Sequence, residues 1–508
     1  MNHLASLFNS PLGVRGHISR FYPPLGVRGH ISLFNSSLGV RGHIFQLLCF
    51  LFILTSPVVA QNDTIRYDVG IIGVTSTGAY SPFWLQSKEY GKISSAATSA
   101  DMMVGVYKDF GEKTRLFDYG FKADLLLQRV TKTSAYFHEL YFKTRLSVFD
   151  FIVGAREEHL GNQDSTLSCG GFMFSENARP MPKITLGIEH FTAVPFTYGF
   201  LEVKGAIAHG WFTDNIAVSN LYLHHKYLYG RVGGRLPVHF QYGLDHVAQW
   251  GGYVPGIGQQ PVGFRDFISI FLIKKGGKTA TMNDQLNALG NHIISQSMKL
   301  DVDVSDYKIS AYWQDLSEDG PVRKIWDTMN LPDGLWGISV RNKNFPFIKG
   351  ILYEYLNTTD QSGPYHDKDG LIYGGADSYF NNGIYQNGWT YYSRTIGTPF
   401  ISSPLYNKDE TVQIFNNRVQ VHHFGMEGDV SGYSYKMLAS FSKNYGTYGA
   451  PYPNMIQNTS LLLEVNKQFP ALSNIQCGVS VGADFGKLYG NSVGCMFSIR
   501  KTGDLFHY

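Results

Sequence analysis

The chain has 508 residues, 44% of them hydrophobic, 16% charged and 15% aromatic, with 55 glycines and a formal net charge of +3. Soluble domains usually carry about 25% charged residues, so this surface has less to offer water than most. The near-neutral balance leaves no electrostatic footprint for nucleic acid.

Residues 1–44 repeat LGVRGHI at Leu12–Ile18, Leu25–Ile31 and Leu38–Ile44, with SLFNS beginning at Ser6 and again at Ser32. Three such short units cannot bury a core. The segment therefore reads as an unstructured extension or a mis-called start, with a basic interaction tail as the alternative. Phe45 to Ala60, FQLLCFLFILTSPVVA, follows Arg41 and ends with Val58 and Ala60 at the small-residue positions of a signal-peptidase site. It is too short to span a membrane and reads as a secretory signal over 45–60, with export through the Sec pathway and a mature chain, 61–508, starting near Gln61.

Beyond Ala60 no apolar run reaches the length of a transmembrane helix. Short alternating segments recur instead. Leu201, Val203, Gly205 and Ile207 oppose Glu202, Lys204, Ala206 and Ala208, and Leu300, Val302 and Val304 oppose Asp301, Asp303 and Ser305. Tyr435, Met437, Ala439 and Phe441 alternate in the same way, as do Cys477, Val479, Val481, Ala483 and Phe485. Such segments, broken by turns such as Ser305–Lys308, are the signature of a membrane β-barrel, although a soluble β-sandwich or β-helix also alternates. The export signal, the low charge and a last strand running through Val493, Cys495, Phe497 and Ile499 toward the aromatic Tyr508 favour the barrel. Eighteen strands fit the length, and sixteen fit almost as well. An even number places both termini in the periplasm.

Pro180 and Pro182 cannot sit inside a sheet ladder, so Arg179–Lys183 is expected to be extended chain at a rim, followed by a strand Ile184–Ile188 and a loop closed by Pro195. The best helical segment is Asn283–Ile293, with Leu286, Leu289 and Ile293 on one face, expected as a short insertion between strands.

The NARPMPKI run (177–184) and the KGAIAHGWF run (204–212) resemble those of the Wzi-type capsule assembly proteins of Bacteroidetes outer membranes. So do Phe83-Trp84-Leu85-Gln86, REEHLGNQD (156–164), QYGLDHVAQWGG (241–252), DQLNALGNH (284–292), DGLWG (333–337), EYLNTTDQSGP (354–364), GWTYYSRTIGTP (388–399) and NRVQVHHFGMEG (417–428). The resemblance implies an 18-stranded outer-membrane β-barrel that binds capsular or other extracellular polysaccharide without being an enzyme. A porin or substrate-specific channel is the alternative, and a lipid- or glycan-modifying barrel enzyme comes third. The implied partners are polysaccharide and outer-membrane lipid, with a monomeric barrel and no cofactor.

Candidate chemistry is sparse. Cys477 and Cys495 lie on the last hairpin, but their registers miss each other by about five residues, too far for a disulfide. They read as lipid-facing thiols. Cys169, in a Ser-Cys-Gly-Gly loop, has no neighbouring base. In the doublets His224-His225 and His422-His423, adjacent strand residues point to opposite faces, so neither doublet chelates one metal ion. Asp301 and Asp303 on one strand face read as a hydrated pore wall, since nothing else suggests a glycosidase pair.

What remains is aromatic and amide-rich loop chemistry. HVAQWGGY (246–253) and YQNGWTYYSR (385–394) set tryptophan and tyrosine beside amides and an arginine. Aromatic faces stack on sugar C–H surfaces while amide and guanidinium donors bind hydroxyls and carboxylates. An aromatic girdle at the bilayer interface uses the same residues for another reason. With Gln241–Phe264 and Asp360–Gly397 as extracellular loops, Trp250, Gln249, Trp389, Tyr391 and Arg394 are the candidate glycan-facing residues.

Overall fold

The computed structural model describes residues 64–507 except 112–114, 287, 319–331, 365, 369–370, 410 and 473–474. The repetitive extension and the export signal expected over 1–60 lie outside them.

Among the described residues eighteen antiparallel strands form the wall. The first nine are β1 Thr64–Tyr80, β2 Ala96–Lys108, β3 Phe117–Arg129, β4 Thr133–Leu146, β5 Phe149–Ala155, β6 Lys183–Ala193, β7 Leu201–Trp211, β8 Tyr222–Val232 and β9 Val238–Trp250. The rest are β10 Asn291–Val304, β11 Tyr307–Gln314, β12 Gly334–Asn342, β13 Gly350–Asn357, β14 Val419–Val430, β15 Tyr433–Gly446, β16 Pro451–Phe469, β17 Ile475–Gly486 and β18 Ser492–His507. Each pairs with the next, and β1 pairs with β18 from Thr64↔His507 to Ser76↔Gly494, which closes the barrel and leaves no free edge.

The period-2 alternation expected from the sequence sorts inside from outside. Ile71, Leu186, Leu228, Phe424, Phe441, Val481 and Phe497 are exposed on the outer wall. Asp68, Asp124, Glu139, Glu354, His423, Ser440 and Asp484 are buried on the inner one. His422 is exposed beside Tyr353 while His423 is buried, as opposite-facing neighbours must be. Cys477 lies opposite Ile499 and Cys495 opposite Val481, so the two thiols stay apart and free.

Because neighbouring strands run antiparallel, alternate connections share one end. Those at the end carrying both termini are short, such as 147–148, 305–306 and 431–432. Every long one, including 81–95, 156–182, 212–221, 251–290 and 358–418, lies at the other end. Outer-membrane barrels keep short turns in the periplasm, so the long connections face outward.

Three of them turn into the lumen. Residues 81–95 carry α1 Phe83–Gln86, whose Trp84 Nε1–H donates to Ser440 Oγ (3.1 Å) and whose Phe83 N–H donates to Asp484 (2.7 Å). The 156–182 and 358–418 segments join it in two buried clusters, one around Phe172, Tyr379, Phe380 and Trp389, the other around Trp84, Leu167, Phe400 and Val421. A packed plug therefore fills the barrel.

The 251–290 connection does the opposite. Its helix α2, Phe264–Phe271, lies on the outer wall, where Ile270 and Leu289 pack with the outward-facing Ala248 and Trp250. The helix expected over 283–293 is confined to α3, Met282–Leu286. Gly290 has a φ of 91° and breaks it. From Asn291 the chain pairs with β9 (Asn291↔Gln249, Ile293↔Val247), so ladder bonds take over what the apolar spacing suggested was helix.

Candidate functional site

The plug is held by polar anchors on inward-facing strand positions. Glu354 on β13 accepts from Ser168 Oγ (2.7 Å), the Cys169 N–H (2.6 Å) and Tyr312 OH (2.5 Å). Arg341 on β12 grips Asp164 through Nε (3.0 Å) and Nη2 (2.7 Å) and reaches Glu427 through Nη1 (2.6 Å). Buried carboxylates need such partners, because an unpaired buried charge is strongly destabilising. Glu157 pairs with His138 (2.8 Å) and Lys92 (2.9 Å), and Glu158 with Lys183 and Arg156. Burial by itself would raise both carboxyls. For Glu157 the contacts with His138 and Lys92 outweigh it, and for Glu158 the charges of Lys183 and Arg156 do, so both are held at about 2. These ion pairs are structural ties; nothing in their arrangement sets a nucleophile beside a base.

All five sequence candidates are buried, so they form the scaffold of the plug and its rim and not an exposed sugar platform. Gln249 and Trp250 are neighbours on β9 and face opposite ways. The Gln249 amide donates inward to the Gly388 carbonyl (2.8 Å) and accepts from Asn291 (2.9 Å), whereas Trp250 packs outward, edge-on to Tyr222 at 5.2 Å. Gln241–Trp250, expected in a loop, is strand. Trp389 donates from Nε1 to the Met173 carbonyl (2.8 Å) and meets Phe174 edge-on. Tyr391 shares its hydroxyl with Thr213 (2.5 Å). Arg394, expected to answer acidic sugars, instead donates to the backbone carbonyls of Ile93 (2.7 Å) and Gln86 (3.4 Å). The tight turn through Gly388 (φ 61°) and the buried aromatic rings on either side of it direct this segment into the lumen.

What the 385–394 segment supports is the 212–221 connection. The Val218 N–H donates to Asn387 Oδ1 (2.7 Å) and the Tyr392 N–H to Asp214 (2.9 Å), which fixes the loop against the plug. Between it and residues 252–262 lies an open cleft of about 560 Å³ at the outward end, lined by Trp211, Thr213, Asn215, Asn220, Tyr222 and Gln259. Trp211 and Tyr222 are half-buried, while Thr213, Asn215, Asn220 and Gln259 are exposed. The size falls in the range of ligand sites. Rings fixed by packing, surrounded by amides and a hydroxyl, match the requirements of a sugar: a flat apolar face and hydrogen-bonding groups that both donate and accept. The lining residues include no ionised group. Sequence reasoning passed over these residues, although the Trp211–Asn215 end of the KGAIAHGWFTDN run carries the signal: an aromatic pair followed by polar turn residues where an alternating strand stops.

The fold is similar to that of the outer membrane protein Wzi of Escherichia coli, a carbohydrate-binding β-barrel involved in group 1 capsule assembly, with a TM-score of 0.54 at 12% identity over 90% of this chain and 86% of that one. OccK3 (OpdO) of Pseudomonas aeruginosa matches more loosely, with a TM-score of 0.46 at 11% identity over 88% of this chain and 97% of that one. No curated protein matches the chain in sequence. The family model of the capsule assembly protein Wzi matches residues 65–403, more than half of the chain and a span containing the 81–95 and 156–182 segments, most of 358–418 and the rim cleft, and the chain belongs to that family.

Proposed function

We propose that this barrel is a non-enzymatic, monomeric outer-membrane protein that holds capsular or other extracellular polysaccharide at the cell surface, with the rim cleft as a point of contact. The observation that carries this reading is the cleft itself, with Trp211 and Tyr222 set among Thr213, Asn215, Asn220 and Gln259 at the end bearing the long connections. The packed plug supports a binding protein over a diffusion porin, since the buried clusters occupy the space a channel needs. Trp389, Tyr391, Gln249, Trp250 and Arg394 act in this reading by holding the loops that shape the cleft.

Replacing Trp211 by alanine tests it. Loss of one stacking ring, about 0.5–1.5 kcal/mol, lowers retained surface polysaccharide about two- to tenfold, while the purified barrel keeps its heat-dependent gel shift. Unchanged retention, or a barrel that conducts as a large open pore in planar bilayers, sinks the reading. Because no lining side chain is ionised, binding of purified glycan falls little with added salt.

A further inference from the structure

The strands covered by the 251–290 connection carry groups that lipid would not tolerate. His224, His246 and His292 point outward from β8, β9 and β10, yet all three are buried. His224 lies against Phe267 and Phe271 of α2, His246 bonds His292 (2.8 Å), and His292 bonds the Leu289 carbonyl (2.8 Å). Polar side chains facing hydrocarbon are costly, and this segment shields them.

Helix α2 has a second apolar stripe facing away from the wall. Phe264, Ile268 and Leu272, spaced four apart, are all exposed. A helix apolar on two sides needs an apolar medium on the second, and at this place on a membrane barrel that medium is acyl chain. Ile273 (φ 54°) then ends the helix, and the chain presents Lys274, Lys275 and Lys278, all exposed, with Arg265 exposed in the first turn of the helix. Between 262 and 278 the sole carboxylate, Asp266, caps the helix by accepting from the Gly263 N–H (2.8 Å), so four cations against one anion leave this stretch at +3. The Leu289 N–H donates to the Lys274 carbonyl (3.0 Å), which ties the lysines to the start of β10 at the outward end of the wall.

We propose that α2 and the lysine run after it bind the phosphorylated head groups of the outer-leaflet glycolipid, with Phe264, Ile268 and Leu272 among its acyl chains. An interfacial helix with aromatic and aliphatic residues toward lipid and lysines at head-group level has this chemistry, and none of Phe264, Ile268, Leu272 and the three lysines lines the glycan cleft.

The test uses the full barrel in nanodiscs of phosphatidylcholine with or without lipid A, read by hydrogen exchange over 262–278 and by lipid A retention in native mass spectrometry. Lipid A is expected to slow exchange in this segment, and K274Q/K275Q/K278Q to lower lipid A affinity about fivefold per lysine, with the heat-dependent gel shift unchanged. Equal protection in phosphatidylcholine alone, full retention by the triple variant, or the same protection from inorganic phosphate in detergent overturns the proposal. Should the triple variant fail to assemble, salt decides on the unmodified chain: protection by lipid A must fall as salt rises, and protection indifferent to salt overturns it.

Discussion

The wall from β14 to β18 and the wall from β5 to β10 are made of similar strands but treated in opposite ways. In the first, connections such as 431–432, 447–450 and 487–491 are tight, and the outer face is a plain lipid-facing surface of Phe424, Met437, Phe441, Leu463, Val481 and Phe497. In the second, the 156–182 connection enters the lumen while 251–290 lies outside over the outward ends of β8, β9 and β10, so those strand ends are covered on both faces. Alternation therefore reads as membrane on one side of the barrel. On the other, the outward positions of β8, β9 and β10 hold His224, His246, Trp250 and His292 because protein, and not lipid, covers them. The rim cleft opens where the wall is covered, between two of the connections that leave it.

The largest effect that separates the two regions is expected at Trp389. Its replacement by alanine empties a fully buried site and costs about 3–5 kcal/mol, enough to release the plug while the wall stays closed. Planar-bilayer recordings then show openings absent from the unmodified protein, and a trace that stays silent means the polar anchors suffice. Next comes Glu354→Ala, which leaves the donors of Ser168, Cys169 and Tyr312 without their acceptor at about 1.5–3 kcal/mol. Hydrogen exchange over 164–172 should rise, with β14–β18 unaffected; equal loosening of both regions would erase the contrast.

Acid acts on the same side. Glu157 and Glu158 have carboxyls depressed from an ordinary 4.5 to about 2, so their contribution is complete above pH 4.5 and is lost as pH falls through 2. Exchange at residues 156–164 measured from pH 5 downward should accelerate across that window, and a flat profile would show that the ion pairs do not hold the segment. The smallest effect is expected on the bare wall. Phe424→Ala removes a ring that faces lipid and leaves no cavity in protein, so unfolding from bilayers should shift by about 0.5 kcal/mol or less. A large loss there would mean that face packs against something other than lipid.

Local chemistry by itself determined where the strands of the wall run, while the export signal and the low charge favoured a barrel over other alternating folds. Strands such as Leu201–Trp211 and Ile475–Gly486 announce themselves because side-chain direction reverses at every residue, and that reversal needs no knowledge of the rest of the chain. It also split the histidine doublets and kept Cys477 from Cys495. The resemblance to the Wzi-type proteins rested on runs that the family match largely contains, with the 417–428 run lying beyond it. What the sequence left open was the direction each long connection takes. An aromatic, glycine-rich loop has the same composition whether it waves at the surface, fills the lumen or lies on the outer wall, which is why Trp389 and Arg394 looked like sugar ligands and turned out to be plug. The turn at Gly388, the carbonyls of Ile93 and Gln86 that receive Arg394, and the rings that close over Trp389 come from segments far apart in the chain. Burial is a property of what arrives from elsewhere, so only the closed tertiary structure could place Trp211, Tyr222 and their amides at an open cleft and the more conspicuous aromatics out of reach of solvent.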